Sequence, residues 1–298
     1  MSIKQFTRLI RFIGIDGKIH YGDAILPHNS FDARLSKQAR LIKGSVLSGE
    51  YTVTDSILDI KKLLSPLSSN EIPTVRCIGL NYLKHAIETN FPIPKYPVLF
   101  YKPSTSVGGP IDPIMVPSSC QVPNIPVNSL DYECELVVVI GKKGKNISIA
   151  NAFNHILGYT VGNDVSHREW QTRTSQFNLG KMYDGWAPIG PTIVNRNEFT
   201  PEQVAQLRQK SFVNGEIRQN ETTADLIFGV PYIVSFLSQG TTLLPGDLIF
   251  MGTPNGVAMG MKPQPKWVNN GDELLMEIEG IGSIINKVTY DALEKSKL

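Results

Sequence analysis

Apolar positions along this chain fall mostly in short runs at a spacing of two. Strand-like runs cover 74–80, 98–101, 134–140, 158–161, 211–213, 216–218, 247–251, 273–279 and 283–288, many of them bounded by Gly or Pro. Asn214-Gly215, between two of these runs, is a two-residue hairpin signal, because both central positions of that turn take positive φ. Nearer the N-terminus, 6–13 runs into Asp16-Gly17 and then 18–21, the pattern of a strand, a turn and a returning strand; 31–42 is mixed and 50–53 is strand-like. Helical patterns are fewer: 82–89, 149–155, 201–210 and 224–239, the last stopped by Gly240 and ended or kinked by Pro231. Strands do not alternate with long helices, so the pattern predicts a β-rich α+β body rather than a doubly wound sheet. The loop formers Ser65-Pro-Leu-Ser-Ser-Asn70 divide the chain into a small N-terminal β-containing domain, 1–70, and a main domain, 71–298.

Composition narrows the classes of partner. Lys and Arg number 29 against 27 Asp and Glu, a net charge of +2 over 298 residues, which gives neither nucleic acid nor an anionic membrane a basic face to bind. At 41% hydrophobic residues the chain sustains a sizeable core. The apolar runs 136–140 and 233–237 fall far short of the ~20 residues a membrane helix needs, so a soluble protein is expected. Cys77, Cys120 and Cys134 are odd in number and lack C-x-x-C spacing, which argues against disulfides and cysteine zinc sites and for a reducing, cytoplasmic setting. Lys4, Arg8 and Arg11 without an acid in the first fifteen residues leave a mitochondrial presequence as the alternative; the strand pattern of 6–13 favours a folded N-terminus. The sequons at Asn146 and Asn220 have no signal peptide with them and are discounted. No P-loop, strand-linked G-x-G-x-x-G, H-E-x-x-H or G-x-S-x-G occurs, which weakens kinase, dehydrogenase, zincin and serine-hydrolase readings.

The informative segment is Asp131-Tyr-Glu133-Cys-Glu135-Leu-Val-Val-Val-Ile140. Alternation along a strand turns Glu133 and Glu135 to one face with Val137 and Val139, while Cys134, Leu136 and Val138 face the other way. Both faces are apolar further along, the mark of a buried strand, and two parallel carboxylates entering it repel unless a cation or protons lie between them. A wet strand end would explain the pair equally well. Asp164, closing the run 158–164, supplies a third oxygen donor, and a carboxylate set without histidine or thiolate suits Mg²⁺, Ca²⁺ or Mn²⁺ better than zinc. Three carboxylates with one divalent ion leave one negative charge, so an anionic substrate needs further cations, for which Arg168, Arg173 and Lys181 are the candidates unless they are ordinary surface charges. His85 and Glu88, three apart on one helical turn, share a face and form either a proton-moving pair or a surface pair. Met251-Gly-Thr253-Pro-Asn-Gly256 follows an apolar strand and offers a hydroxyl and backbone N–H groups to an anion, or is a plain turn.

Six ordered motifs between 75 and 288 resemble those of the fumarylacetoacetate hydrolase family, and most closely its domain-containing branch. They are Gly-Leu-Asn-Tyr-x-x-His-x-x-Glu, Phe-Tyr-Lys-Pro-Ser, Glu-x-Glu-Leu-x-Val-Val-Ile-Gly-Lys, Asn-Asp-Val-Ser-x-Arg-x-x-Gln, Gly-Lys-x-x-Asp and Gly-Thr-Pro. The resemblance implies a mixed β-sandwich roll, commonly a homodimer, preceded by an N-terminal extension. It implies Glu133, Glu135 and Asp164 as ligands of a metal, usually Mg²⁺, and His85 and Glu88 as a proton-transfer dyad on a short lid. Arg168, Gln171, Lys181 and Thr253 fall where related enzymes hold the carboxylate and oxo groups of a small anionic substrate. Met182-Tyr183 and Gly185-Trp186 depart from the family pattern, as does His167, which is expected to reshape the pocket mouth.

These readings together predict a divalent-metal hydrolase that cleaves a C–C bond in a 2-oxo acid or 1,3-dicarbonyl substrate, with His85, Glu88 and Lys181 as its catalytic residues. An oxaloacetate tautomerase or decarboxylase on the same site is the alternative, and a non-catalytic metal-binding module the rival from another class. Gly79 and the Pro-rich stretch 90–97 flank a lid expected to span 82–94.

Overall fold

The structure is a computed structural model that describes residues 5–121 and 128–292. Lys4, part of the presequence alternative, lies outside the described residues. The architecture is β-rich. Ten strands run side by side in the main sheet in the order Ile19–Ile25, Gln38–Ser45, Glu50–Leu64, Arg8–Gly14, Ala187–Asn195, Ile156–Asn163, Cys134–Ile140, Leu248–Phe250, Val75–Gly79 and Val98–Lys102, with Val107–Gly108 pairing to Ala187–Asn195 off this path. A second sheet of five strands, Glu216–Thr222, Arg208–Val213, Glu273–Ile278, Gly282–Tyr290 and Ile114–Val116, packs against its centre.

Cys134–Ile140 is buried along its whole length, and its alternation divides the core. Leu136, Val138 and Ile140 pack with Met276, Ile278 and Ile284 of the second sheet. Val137 and Val139 pack on the opposite face with Leu9, Ile193 and Phe250. The N-terminal strands enter this second cluster because Leu9 pairs with Ile193, so strands of the first 70 residues continue the main sheet.

Register brings the chemistry to one end of the sheet. Cys134–Ile140 runs antiparallel to Ile156–Asn163, with Cys134 opposite Asn163 and Glu135 opposite Gly162, which sets Asp164 beside Glu133 through an N–H···O bond of 3.0 Å. Leu248–Phe250 runs antiparallel to the same strand, so Gly252 and Thr253 emerge next to Glu135. Val75–Gly79 lies parallel to Leu248–Phe250 and delivers the helix Leu83–Glu88 to the same end.

Several sequence expectations are met and several are corrected. Asn214 and Gly215 have φ of 50° and 79°, as the hairpin turn requires. The helix expected over 201–210 stops at Val204, since the chain from Arg208 pairs on both sides in the second sheet. Pro231 opens a helix instead of ending one: Val230–Leu237 begins there, and a missing N–H costs nothing in a first turn. Ala187–Asn195 is a fully buried strand that Pro188 and Pro191 disguise in the sequence.

Gly162 marks how tightly these strands approach. A Cβ there lies 2.5 Å from Val137 Cγ2 and 2.6 Å from Phe250 Cε1, so Gly162→Ala overpacks the strand bearing Glu135 and is expected to lower stability by about 1–3 kcal/mol in urea denaturation.

Candidate active site

Glu133, Glu135 and Asp164 are buried, and one oxygen from each lies within 4.8 Å of the others. Three cations answer them. Lys181 Nζ donates to Glu133 Oε2 at 3.1 Å, Asp164 Oδ2 at 2.6 Å and Ser166 Oγ at 2.7 Å. Lys102 Nζ donates to Asp164 Oδ1 at 2.6 Å and to the Trp186 carbonyl at 2.7 Å. Arg168 spans two acids, with one nitrogen 2.7 Å from Glu133 Oε1 and Nε donating to Asp131 Oδ2 at 2.9 Å. Gln171 Oε1 accepts a further guanidinium bond at 2.9 Å.

The charges are unevenly shared, and the proton affinities follow. Burial works to raise the Glu133 carboxyl, but Lys181 and Arg168 outweigh it and hold it well below the usual range. Glu135 goes the other way: burial, then the neighbouring Asp164 and Glu133 charges, push it well above its ordinary value. Its partner is the Gly252 N–H, 2.7 Å from Oε2. Burial opposes the charge on Lys181 and Arg168 as well, yet the acids around them raise both. Counted fully ionised, four buried carboxylates, Asp131 included, exceed three buried cations by one charge; Glu135 is the acid with no cation on it, and its raised proton affinity favours the neutral form until a cation takes the proton's place. An all-oxygen, net-negative, buried cluster fits a hard divalent cation.

His85 lies beyond this cluster, buried on the helix Leu83–Glu88, with Nδ1 2.9 Å from Glu88 Oε1. With Glu88 ionised, Nδ1 carries the proton and Nε2 keeps its lone pair. Glu88 also accepts the Gly256 N–H at 2.9 Å. One cleft brings together His85, Glu133, Glu135, Arg168, Gln171, Lys181 and Thr253. Ile78, Leu80, Phe91, Phe100, Phe177 and Met259 line the rest of it.

Other sequence candidates land elsewhere. Arg173 is a surface residue that stacks over Trp170 and pairs with Glu169. His167 does not line the cleft: it is wholly buried, 3.2 Å from the Ser129 hydroxyl, and burial lowers its pKa to about 4. Met182 and Tyr183 line a separate outer groove. Two N–H groups of the turn after Met251 do meet anions, the protein's own Glu135 and Glu88. Thr253 Oγ1 accepts from Gln219 Nε2 at 2.8 Å and lies 3.2 Å from the Cys134 carbonyl, bonds that fix it in place.

Sequence reasoning passed over Lys102, Asp131 and Gln219. Lys102 did carry a signal, a lone lysine in the apolar stretch Val-Leu-Phe-Tyr-Lys-Pro. Asp131 begins the acidic segment, and its oxygens accept from Ala258 N at 2.7 Å and Met259 N at 3.1 Å besides Arg168.

With the geometry established, the relatives can be compared. The family described as fumarylacetoacetate (FAA) hydrolase C-terminal matches residues 74–289, and the chain belongs to the fumarylacetoacetate hydrolase family. It is 41% identical over 293 residues to a caffeoylpyruvate hydrolase of Neonothopanus nambi, covering 95% of this chain and 93% of that one. The oxaloacetate tautomerase FAHD2A, mitochondrial, of Homo sapiens is 37% identical over 278 residues, 90% of this chain and 84% of that one. Among solved structures, the 2-hydroxyhepta-2,4-diene-1,7-dioate isomerase of Mycobacterium marinum superposes with a TM-score of 0.79 at 33% identity, over 96% of this chain and 99% of that one. The protein is thus an enzyme of a family of hydrolases, isomerases and tautomerases that act on small molecules. Among the described residues no helix is long and apolar enough to cross a membrane.

Glu135→Ala removes the least compensated charge of the cluster. Calorimetric titration with Mn²⁺ is expected to show one site in the wild type and none, or a severely weakened one, in the variant; equal affinity in both would move the metal elsewhere.

Proposed function

We propose that the protein is a Mg²⁺-dependent hydrolase that cleaves the C–C bond of an acylpyruvate-type 2-oxo acid. The observation that carries this reading is the meeting of three elements in one cleft: a histidine with a free nitrogen, a net-negative acid cluster and an apolar wall. Glu133, Glu135 and Asp164 would hold a divalent ion, which when bound would supply positive charge to the carboxylate and oxo oxygens of the substrate. Arg168, oriented by Asp131 and Gln171, faces the substrate carboxylate, and Lys181 adds charge beside the oxo group. Thr253 lines the same wall.

His85 Nε2 takes a proton from water, and the hydroxide adds to the acyl carbonyl carbon. The bond from that carbon to the methylene breaks, and its electron pair passes to the pyruvate half. His85 returns the proton to the methylene carbon, so one water is consumed and pyruvate and a carboxylic acid leave. Glu88 stabilises the imidazolium that exists between the two transfers.

The apolar wall supports hydrolysis of a substrate with an acyl or aryl tail, since Phe91, Phe100 and Phe177 offer a tail burial that a small dianion does not use. Oxaloacetate tautomerisation is the second reading. It needs the same proton shuttle without the water, and the names of relatives at 34–41% identity favour it. The same proposal keeps residues 1–70 as an N-terminal domain, a homodimeric assembly and a cytoplasmic location, mitochondria being the alternative.

A panel of caffeoylpyruvate, simpler acylpyruvates and oxaloacetate, each with Mg²⁺ and with EDTA, tests the reaction class. Turnover of acylpyruvates that EDTA abolishes is expected; turnover of oxaloacetate alone would replace hydrolysis with tautomerisation. His85→Ala is expected to cut kcat by ~10²-fold or more while metal affinity stays near wild type. Full kcat in that variant would make the dyad structural.

The lid reading takes a narrower span than 82–94. Tyr82 is wholly buried and bridges to Leu226, so the movable part starts at Leu83, where Ile87 at 64% and Phe91 at 47% exposure lean into solvent. Hydrogen exchange over 83–94 is expected to slow when oxalate and Mg²⁺ are added, and equal protection in both states would refute a closing lid.

A further inference from the structure

The turn 256–260, which faces the helix Leu83–Glu88, is built around the carboxylate of Glu88. Gly256 has a φ of +99°, and a Cβ there would come 2.1 Å from the Arg218 carbonyl, so only glycine fits. Its peptide unit is held from both ends: Tyr132 OH donates to the Gly256 carbonyl at 2.9 Å, and the Gly256 N–H meets both oxygens of Glu88 at 2.9 and 3.1 Å. Two residues on, Asp131 accepts the N–H groups of Ala258 and Met259. Gly260 then closes the turn, and the three atoms nearest to a Cβ at that position all belong to Glu88, with Cδ and Oε2 both at 2.6 Å. Its φ lies outside the left-handed region, so alanine can adopt the backbone.

These contacts form a receptor for one carboxylate. The N–H of Gly256 supplies the donor, and the missing side chain of Gly260 supplies the room. Asp131 and Tyr132, the two residues before the acid Glu133, clamp the turn from the sheet side. The fixed partner is therefore the turn, and the exposed helix Leu83–Glu88 docks onto it.

We infer that Gly260 is a positioning residue for the reaction: the space it leaves sets the Glu88 carboxylate on His85 Nδ1 and thereby fixes which imidazole nitrogen faces the substrate. The inference rests on the proposed His85–Glu88 dyad. Gly260→Ala keeps every titratable group, adds one methyl group, and drives the Glu88 head away from both Gly256 and His85. Its effect runs through Glu88, so it must vanish where Glu88 is absent.

The experiment is a double-variant cycle in the full chain with Gly260→Ala, Glu88→Ala and the pair. Two readings are taken: kcat and KM on the best substrate of the panel above, and the tautomer of His85 from imidazole ¹⁵N NMR, which needs no substrate. Gly260→Ala is expected to lower kcat by about 10-fold or more with KM within about twofold, and to move His85 away from the Nδ1–H tautomer. Added to Glu88→Ala it is expected to change neither reading. Mn²⁺ affinity and the urea midpoint are expected to match wild type, which separates misalignment from misfolding. If Gly260→Ala leaves kcat and tautomer as in wild type while Glu88→Ala alters them, the positioning role is overturned and the dyad stands. Equal losses in both backgrounds overturn it as well, since the methyl group then acts on something other than Glu88. If Glu88→Ala itself changes neither reading, the dyad reading falls and takes this inference with it.

Discussion

Three carboxylates buried within 4.8 Å of one another set the terms for the rest of this structure. At an effective dielectric near 20, each pair of like charges at that distance repels by roughly 3–4 kcal/mol, before the cost of removing them from water. No strand pairing offsets such a term, so the compensation has to be built in. Lys181 lies between Glu133 and Asp164, Lys102 covers the far side of Asp164, and Arg168 covers Glu133. Arg168 is buried too and takes Asp131 as its counterion, and Asp131 organises the turn that receives Glu88. A chain of charges thus leads from the metal-ligand candidates to the His85–Glu88 pair, and each member is held by the need to satisfy the one before.

The local half of this was legible in the sequence. Glu133 and Glu135 share a face because a strand alternates, and Asp164 closes a run that reads as a strand, so the acid cluster followed from parity and one antiparallel pairing. His85 and Glu88 followed from helical spacing. What the sequence hid is long-range. Lys102 reaches Asp164 across 62 positions, Gln219 reaches Thr253 across 34, and no periodicity encodes either. Proline hid the buried strand Ala187–Asn195, and the helical pattern after Val204 yielded to a ladder that only the second sheet supplies. His167 is expected at the pocket mouth because it departs from the family pattern there; its ring is instead buried against the Ser129 hydroxyl.

Sheet topology explains why the site is assembled where it is. Strands from four distant parts of the chain end together, and Gly162, opposite Glu135, leaves no room for a side chain between them. The first 70 residues add strands to the far side of the same sheet, against the face that carries Val137 and Val139. They contribute to the rigidity behind the acids without lining the cleft. The acids sit on strand ends of the main sheet, opposed by the His85–Glu88 pair on a short, half-exposed helix.

The residual charge bears on which substrate the site prefers. Four buried carboxylates, once all are ionised, exceed three buried cations by one charge, so a divalent ion bound there would bring the cluster to one positive charge. A substrate with a single carboxylate then brings the buried set to neutrality. An acylpyruvate meets that condition, and its uncharged tail is free to lie against Phe91, Phe100 and Phe177. A dianion such as oxaloacetate carries one charge more, and with its first carboxylate at Arg168 its second would face that aromatic wall. Burying a charge against rings without a partner costs several kcal/mol, enough to offset the extra attraction from a site of net charge one. The balance of charge and the apolar wall therefore both favour the proposed hydrolase reading, in which the substrate is a monoanionic oxo acid with an apolar tail.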